Sequence, residues 1–349
     1  MTGLRIELLP ASEGDCLLIT YADTAAGRNR HVLVDGGRAG TWARLRSRLE
    51  TLPMNEREIE LLVVTHVDRD HIEGVLSILE DANCPVTFKD IWFNGYRHLV
   101  EDESYGPVQG ERLTEALLKR KWNVAFSGKA VCISASGALP EHHLEGGLRL
   151  TVVSPNRERL AALVPKWTDE CAAAGLDPAA AAWEGLPGDE VFGPVDVEAE
   201  ASTPFKPDTT TPNGSSIGLI AEYNNKRILL AADAHADVLA GSLARFGAGK
   251  RVKLAAWKVA HHGSAANTSR ELLELVECPV YLISTSGAYF KHPNRATIAR
   301  IIKYGRPSAL LFNYRSKYTS PWGDASLSQE WAYEAIYPAQ DGDGVEIDL

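Results

Sequence analysis

Short apolar runs alternate with turn residues at the start of the chain. Leu4 to Leu9, Cys16 to Tyr21 and His31 to Val34 have the length and composition of strands, and the last ends at Asp35-Gly36-Gly37. A helical period follows from Trp42 to Leu52, then the apolar strand Ile59 to Thr65 and a helix from His71 to about Leu79. Asp70, with Glu73 three residues on, is placed to cap that helix. The run His66-Val67-Asp68-Arg69-Asp70-His71 therefore sits where a buried strand becomes a helix.

A second β-then-α series starts after the turn-rich stretch Thr203 to Ser215. Strands are expected at Ser216 to Tyr223, Arg227 to Ala232, Lys253 to Ala260, Pro279 to Ser284 and Ser308 to Asn313, with helices near Ala236 to Phe246, Ser269 to Val276 and Asn294 to Tyr304. Between the halves, residues 156–212 mix Ala-rich helical stretches with Pro-, Gly- and Thr-rich linker, the composition of an insertion. The halves share a layout but no repeat of fixed period. Packed sheet to sheet with helices outside, they predict an α/β, four-layer αββα sandwich: one domain over 1–349 with an insertion at 156–212.

Composition narrows the picture. The 349 residues are 45% hydrophobic, enough for a full core. No apolar run approaches the roughly 20 residues that span a bilayer, and Met1-Thr2-Gly3-Leu4-Arg5 leads straight into Ile6 and Leu8, so the expectation is a cytoplasmic protein without a membrane partner. Cys16, Cys84, Cys132, Cys171 and Cys278 form no CxxC pair and read as reduced hydrophobes.

A net charge of −10 argues against indiscriminate nucleic-acid binding. The charge is segregated, however. Residues 251–320 hold eleven Lys or Arg against three Glu, a balance of +8, whereas residues 166–201 hold nine acids and one Lys, a balance of −8.

His66, Asp68, Asp70 and His71 fall within six residues, so four nitrogen and oxygen ligands can converge on a metal from one loop. His261 and His262 end another expected strand; adjacent strand residues point to opposite faces, so one would face the metals while the other packs or binds substrate. His292 follows the next strand as either the last ligand or a general acid.

Thr65-His66-Val67-Asp68-Arg69-Asp70-His71 resembles the HxHxDH signature of the metallo-β-lactamase superfamily, with Asp in place of its second His. That variant is similar to the hydrolase domain of the DNA-uptake protein ComEC and its free-standing relatives. Gly14-Asp15, Asp35-Gly36-Gly37, Asn213-Gly214-Ser215-Ser216, His261-His262-Gly263-Ser264 and His292-Pro293 match that group's motifs in order. The resemblance implies two divalent metal ions held by His66, Asp68, Asp70, His71, Asp233 and His261, with Asp233 bridging them and Asp70, His262 and His292 catalytic. His235 is expected to face solvent or cap the next helix, and His142 and His143 to lie on the surface. Ordinary members supply a third His to the first metal; here Asn213 is the nearest counterpart. Two loop carboxylates harden the site, so Mn²⁺ is as suitable as Zn²⁺.

Two cations can activate water and clamp an anion, which suits phosphodiesters, possible nucleic-acid substrates among them. Lys258, Ser264, Lys291, Arg295 and Asn213 are the candidate substrate contacts, with Tyr289 and Phe290 as candidate stacking rings. Two further readings stand beside a phosphodiesterase or nuclease: a hydrolase of a small ester, lactone or amide, and a regulatory module whose acidic insertion contacts a protein partner.

Overall fold

Strands covered on both faces need apolar residues on both, and the runs above supply them. The computed structural model describes residues 3–99, 112–173, 193–340 and 342–349. The strands that the first half gives to the large sheets are β1 (Leu4–Leu8), β2 (Leu17–Asp23), β3 (Arg28–Val34), β4 (Leu61–Val63) and β5 (Ile91–Trp92). Those that follow are β6 (Glu141–His143), β7 (Arg149–Ser154), β8 (Gly218–Tyr223), β9 (Lys226–Leu230), β10 (Ala256–Lys258), β11 (Val280–Ile283), β12 (Ala309–Phe312), β13 (Glu334–Ile336) and β14 (Val345–Asp348). One sheet has the order β14-β1-β2-β3-β4-β5 and the other β13-β12-β11-β10-β9-β8-β7-β6. β14 lies antiparallel to β1, with Ile347 opposite Ile6. From β9 through β13 the second sheet is parallel.

Alternate residues of each strand feed different cores. Along β2, Leu17 and Ile19 join the layer between the sheets while Leu18 meets the outer helices. Along β9, Ile228 and Leu230 face inward and Leu229 outward. Each fully buried side chain of this kind contributes about 2 kcal/mol. The helices Trp42–Glu50 and Arg69–Glu80 cover the first sheet, and Ala236–Phe246, Arg270–Glu274 and Arg295–Arg300 the second, giving the metallo-β-lactamase-type αββα layering. Among the described residues no helix is long and apolar enough to cross a membrane.

Two expectations change. The helix expected from His71 begins at Arg69, with Asp68 at its N-cap position and no side-chain capping bond. Asp70 lies in the first turn, and Glu73 bonds the Ala39 N–H and Arg69 instead of closing a capping box. The stretch 156–212 also does more than interrupt the core. Residues 174–192 lie outside the described residues, but Leu160, Leu163, Trp167 and Cys171 enter the first outer core, and Val197 and Ala201 the second.

The segregated charges meet each other. Helix Val197–Ala201 packs on helix Arg295–Arg300. Glu198 pairs with Lys303, and Glu200 Oε1 lies 3.6 Å from Arg295. Arg300, buried, donates to the carbonyls of Ala265, Thr268 and Thr203. Three of the eleven cations of the +8 segment, Arg295, Arg300 and Lys303, are thereby engaged in holding the fold.

Candidate metal centre

The segments following β3, β4, β9, β10 and β11 bring Asp35, His66, Asp233, His261, His262 and His292 to one end of the two sheets. The turn before β2 adds Asp15. Gly14 permits this: a Cβ there would sit 1.6 Å from the carbonyl oxygen of Asp70, so only glycine lets the turn rest on the start of helix Arg69–Glu80.

Asp233 is the hub. Its Oδ2 lies 3.4 Å from Nε2 of His262, 3.5 Å from that of His71, 3.8 Å from that of His261 and 3.9 Å from that of His66. Asp68 Oδ2 is 3.4 Å from His66 Nε2, and Asp70 Oδ2 is 3.4 Å from His262 Nε2. Asp15, His71, Asp233 and His262 each present one atom within 4.8 Å of the others, all four side chains buried.

Hydrogen bonds behind the rings show that a cation fits. His262 Nδ1 faces the Ser284 carbonyl at 3.0 Å, and His71 Nδ1 faces the Asp35 carboxylate at 2.7 Å; both partners accept only, so each Nδ1 carries the proton. Thr65 Oγ1 donates to Asp35 and so accepts from His66 Nδ1 at 3.0 Å, while His261 Nδ1 lies 2.9 Å from Asn267 Oδ1. The Nε2 atoms of His66, His71 and His262 are then turned inward, where each can take up either a cation or a proton. Those of His71 and His262 are only 3.1 Å apart, and His66 Nε2 and Asp233 Oδ1 have no hydrogen-bond partner. Facing lone pairs repel unless a positive charge lies among them, and imidazoles oriented from behind are the usual arrangement of metal-binding histidines.

The electrostatics agree. Burial pushes the Asp233 carboxyl up, but the positive His262, His71 and His261 outweigh it and hold it well below the usual range. Burial likewise opposes charge on His71 and His262; Asp233, with Asp35 for the first and Asp15 for the second, raises both well above the usual histidine range. This pocket stabilises positive charge.

Several sequence expectations need correction. His261 and His262 are not strand residues on opposite faces: β10 stops at Lys258, and both lie in left-handed backbone with φ of 46° and 53°, so both rings turn toward Asp233. Lys258 is no substrate contact, because it is wholly buried with Nζ on Asp15. Arg295 is tied to the Gly193 and Pro194 carbonyls. Ser264 Oγ accepts from the Ala266 N–H within its own turn. Asn213 sits behind His261, its amide 2.7 Å from Asp208 and 3.2 Å from His261 Nδ1. His235 is buried, not solvent-facing; it occupies the N-cap position of helix Ala236–Phe246 without a side-chain capping bond and donates to the Thr210 carbonyl. Exposed His143 lies on β6, as does His142, which packs edge-on to Trp92. Phe290 stacks on His292 with ring centres 6.1 Å apart, and Tyr289 meets Phe290 edge-on; Lys291 is half-buried.

Some supporting residues escaped notice as such. Asp35 and Asp15 stood inside recognised motifs without an assigned role. Asp208 had no local signal: it accepts from the amides of Asn213 and Asn267 and the Thr210 N–H, with Oδ2 3.4 Å from His261 Nδ1.

The sequence profile described as the metallo-beta-lactamase superfamily matches residues 10–287. The chain belongs to the metallo-β-lactamase superfamily. It is a metal-dependent hydrolase of that superfamily, with a candidate metal site at the hub just described. Similarity to solved structures is at low identity. YhfI from Bacillus subtilis is 10% identical, covering 99% of this chain and 98% of its own, at a TM-score of 0.42. Zn(2+)-bound PqqB from Methylobacterium extorquens is 13% identical, covering 99% and 100%, at 0.45. CmlA, a diiron β-hydroxylase from Streptomyces venezuelae, is 13% identical, covering 100% of this chain and 55% of its own, at 0.44. No curated protein matches the sequence.

Proposed function

We propose that this superfamily member hydrolyses phosphodiesters, nucleic acids being candidate substrates, with two divalent cations, Zn or Mn. The carrying observation is the carboxylate-rich donor set around one shared residue: His66, paired with Asp68, and His262, paired with Asp70, both lie within 3.9 Å of Asp233. Bound there, two divalent cations supply an activated water and charge stabilisation for attacking and leaving oxygens. His66, Asp68, Asp70, His71, Asp233 and the His261-His262 pair would hold them, with Asp15 beside His262. His292 has a buried, unpartnered Nδ1 and its ring is 5.4 Å from that of His261. Burial, with His261 and His262 beside it, holds its pKa well below the usual histidine range, so passing a proton to the leaving oxygen would rely on the negative charge of a bound phosphodiester to bring the proton onto the ring. The ComEC-type motifs support the same reading.

One observation favours an uncharged substrate instead, a small ester, lactone or amide: Lys258 and Arg295 are committed to internal partners. Metal analysis of the purified protein, with single-stranded DNA, RNA, a cyclic dinucleotide, a small phosphodiester, an ester and a lactone as substrates, separates the two. We expect phosphodiester turnover that falls steeply with added salt for polymeric substrates and is lost in Asp233→Ala. Turnover of the ester or lactone alone would overturn the phosphodiesterase reading.

A further inference from the structure

The opposite end of the second sheet carries a cationic cleft that the metal chemistry does not use. β9 runs from Arg227 near its start toward Asp233, so at about 3.3 Å per residue the cleft lies on the order of 20 Å from the metal centre. Its volume is about 740 Å³, and Arg149, Arg227, Arg245, Lys250, Arg251 and Lys253 line it.

The charge is largely uncompensated. Glu222 bridges Arg149 and Arg227, and Glu141 lies 3.5 Å from Arg149. Arg245 donates only to the neutral carbonyls of Ser134 and Gly137, and its buried Nε has no partner. Arg251 donates to the Val276 carbonyl, and exposed Lys250 and Lys253 pair with no carboxylate among the described residues. Arg245 and Lys250 flank the carboxyl end of helix Ala236–Phe246, whose dipole is equivalent to roughly half a negative charge and offsets only a fraction of this cluster. On a chain of net charge −10, such a concentration is not a general surface property.

We propose that this cleft binds a polyphosphate group. Guanidinium forks and ammonium groups spread over one concave wall match several phosphate oxyanions better than a single carboxylate, and the volume is that of a small-ligand site. The group could be free polyphosphate or the tail of a nucleoside triphosphate, since Phe246 also lines the wall.

The test is calorimetric titration of the purified protein with inorganic tripolyphosphate and, separately, with ATP. Wild type, Lys250→Ala/Lys253→Ala and Asp233→Ala are compared, with circular dichroism to check folding. We expect tripolyphosphate to bind wild type and Asp233→Ala alike, and at least about ten-fold more weakly to the lysine double variant, with affinity falling as salt rises. Both lysines are exposed, so the double variant should fold. Tighter binding of ATP would identify a nucleotide ligand and equal binding free polyphosphate; each supports the site. Absence of binding to wild type, or binding lost in Asp233→Ala and unchanged in the lysine variant, would overturn it. A failed phosphodiester assay leaves this result untouched.

Discussion

Asp35 holds His71 from behind, its Oδ2 2.7 Å from Nδ1, while its two oxygens also accept from the Thr65 N–H and hydroxyl. One carboxylate thus fixes the strand end carrying His66 and the tautomer of His71. Replacing Asp35 with Asn keeps the shape but offers a donor where acceptors are needed. We expect Asp35→Asn to remain folded and to bind metal about 10- to 100-fold more weakly, as read by competition with a chelator.

The buried pair of Lys258 and Asp15 makes an energetic expectation. Removing Lys258 leaves the buried Asp15 carboxylate with His262 alone, 3.3 Å away, at a cost of up to about 3–5 kcal/mol. Lys258→Met should lose that much in urea unfolding, and Lys258→Met/Asp15→Asn should recover part of it. Equal stability of Lys258→Met and wild type would show that the pair holds nothing together.

Arg295, expected as a substrate contact, has internal partners in the structure. Its guanidinium serves Gly193, Pro194 and Glu200, so Arg295→Ala should leave KM for a phosphodiester within about two-fold and cost about 1 kcal/mol of stability. A large rise in KM would restore it as a substrate contact.

His98 gives a pH signature away from the metals. Burial, with Arg97 beside it, holds its pKa down at about 4, and neutral Nδ1 accepts the Gly95 N–H. In the unfolded chain the group titrates near 6.5, so between those values the unfolded state binds the extra proton. Its contribution is therefore complete above about pH 6.5 and is lost as pH falls toward 4, up to roughly 3 kcal/mol. The slope of unfolding free energy against pH in this window should shrink in His98→Gln.

The layering was legible because both faces of nearly every central strand are buried, so apolar runs such as Ile228 to Leu230 mark themselves. β6 and β13 were not, since Glu141-His142-His143 and Glu334-Ala335-Ile336 lack that signature, and neither were the short β5, the terminal β14 or β7, although Leu150, Val152 and Val153 of β7 carry it. At the centre, the dense His66 to His71 loop declared itself, whereas Asp208 is a lone acid in a Thr-rich stretch made meaningful only by its place beside His261. The fate of Lys258 was hidden for a related reason: a lysine at a strand end reads as solvated until its neighbour Asp15, distant in sequence, is known. Charge segregation was visible, but not that its two halves close on each other.

The left-handed backbone at His261 and His262 has an energetic corollary. Two successive non-glycine residues held there cost about 1–2 kcal/mol each. Ligation of both rings would repay that cost, so part of the affinity for an ion goes into holding a kink. Losing the ion would let residues 260–264 relax, making this short stretch the place where backbone amides should exchange with solvent soonest after chelation.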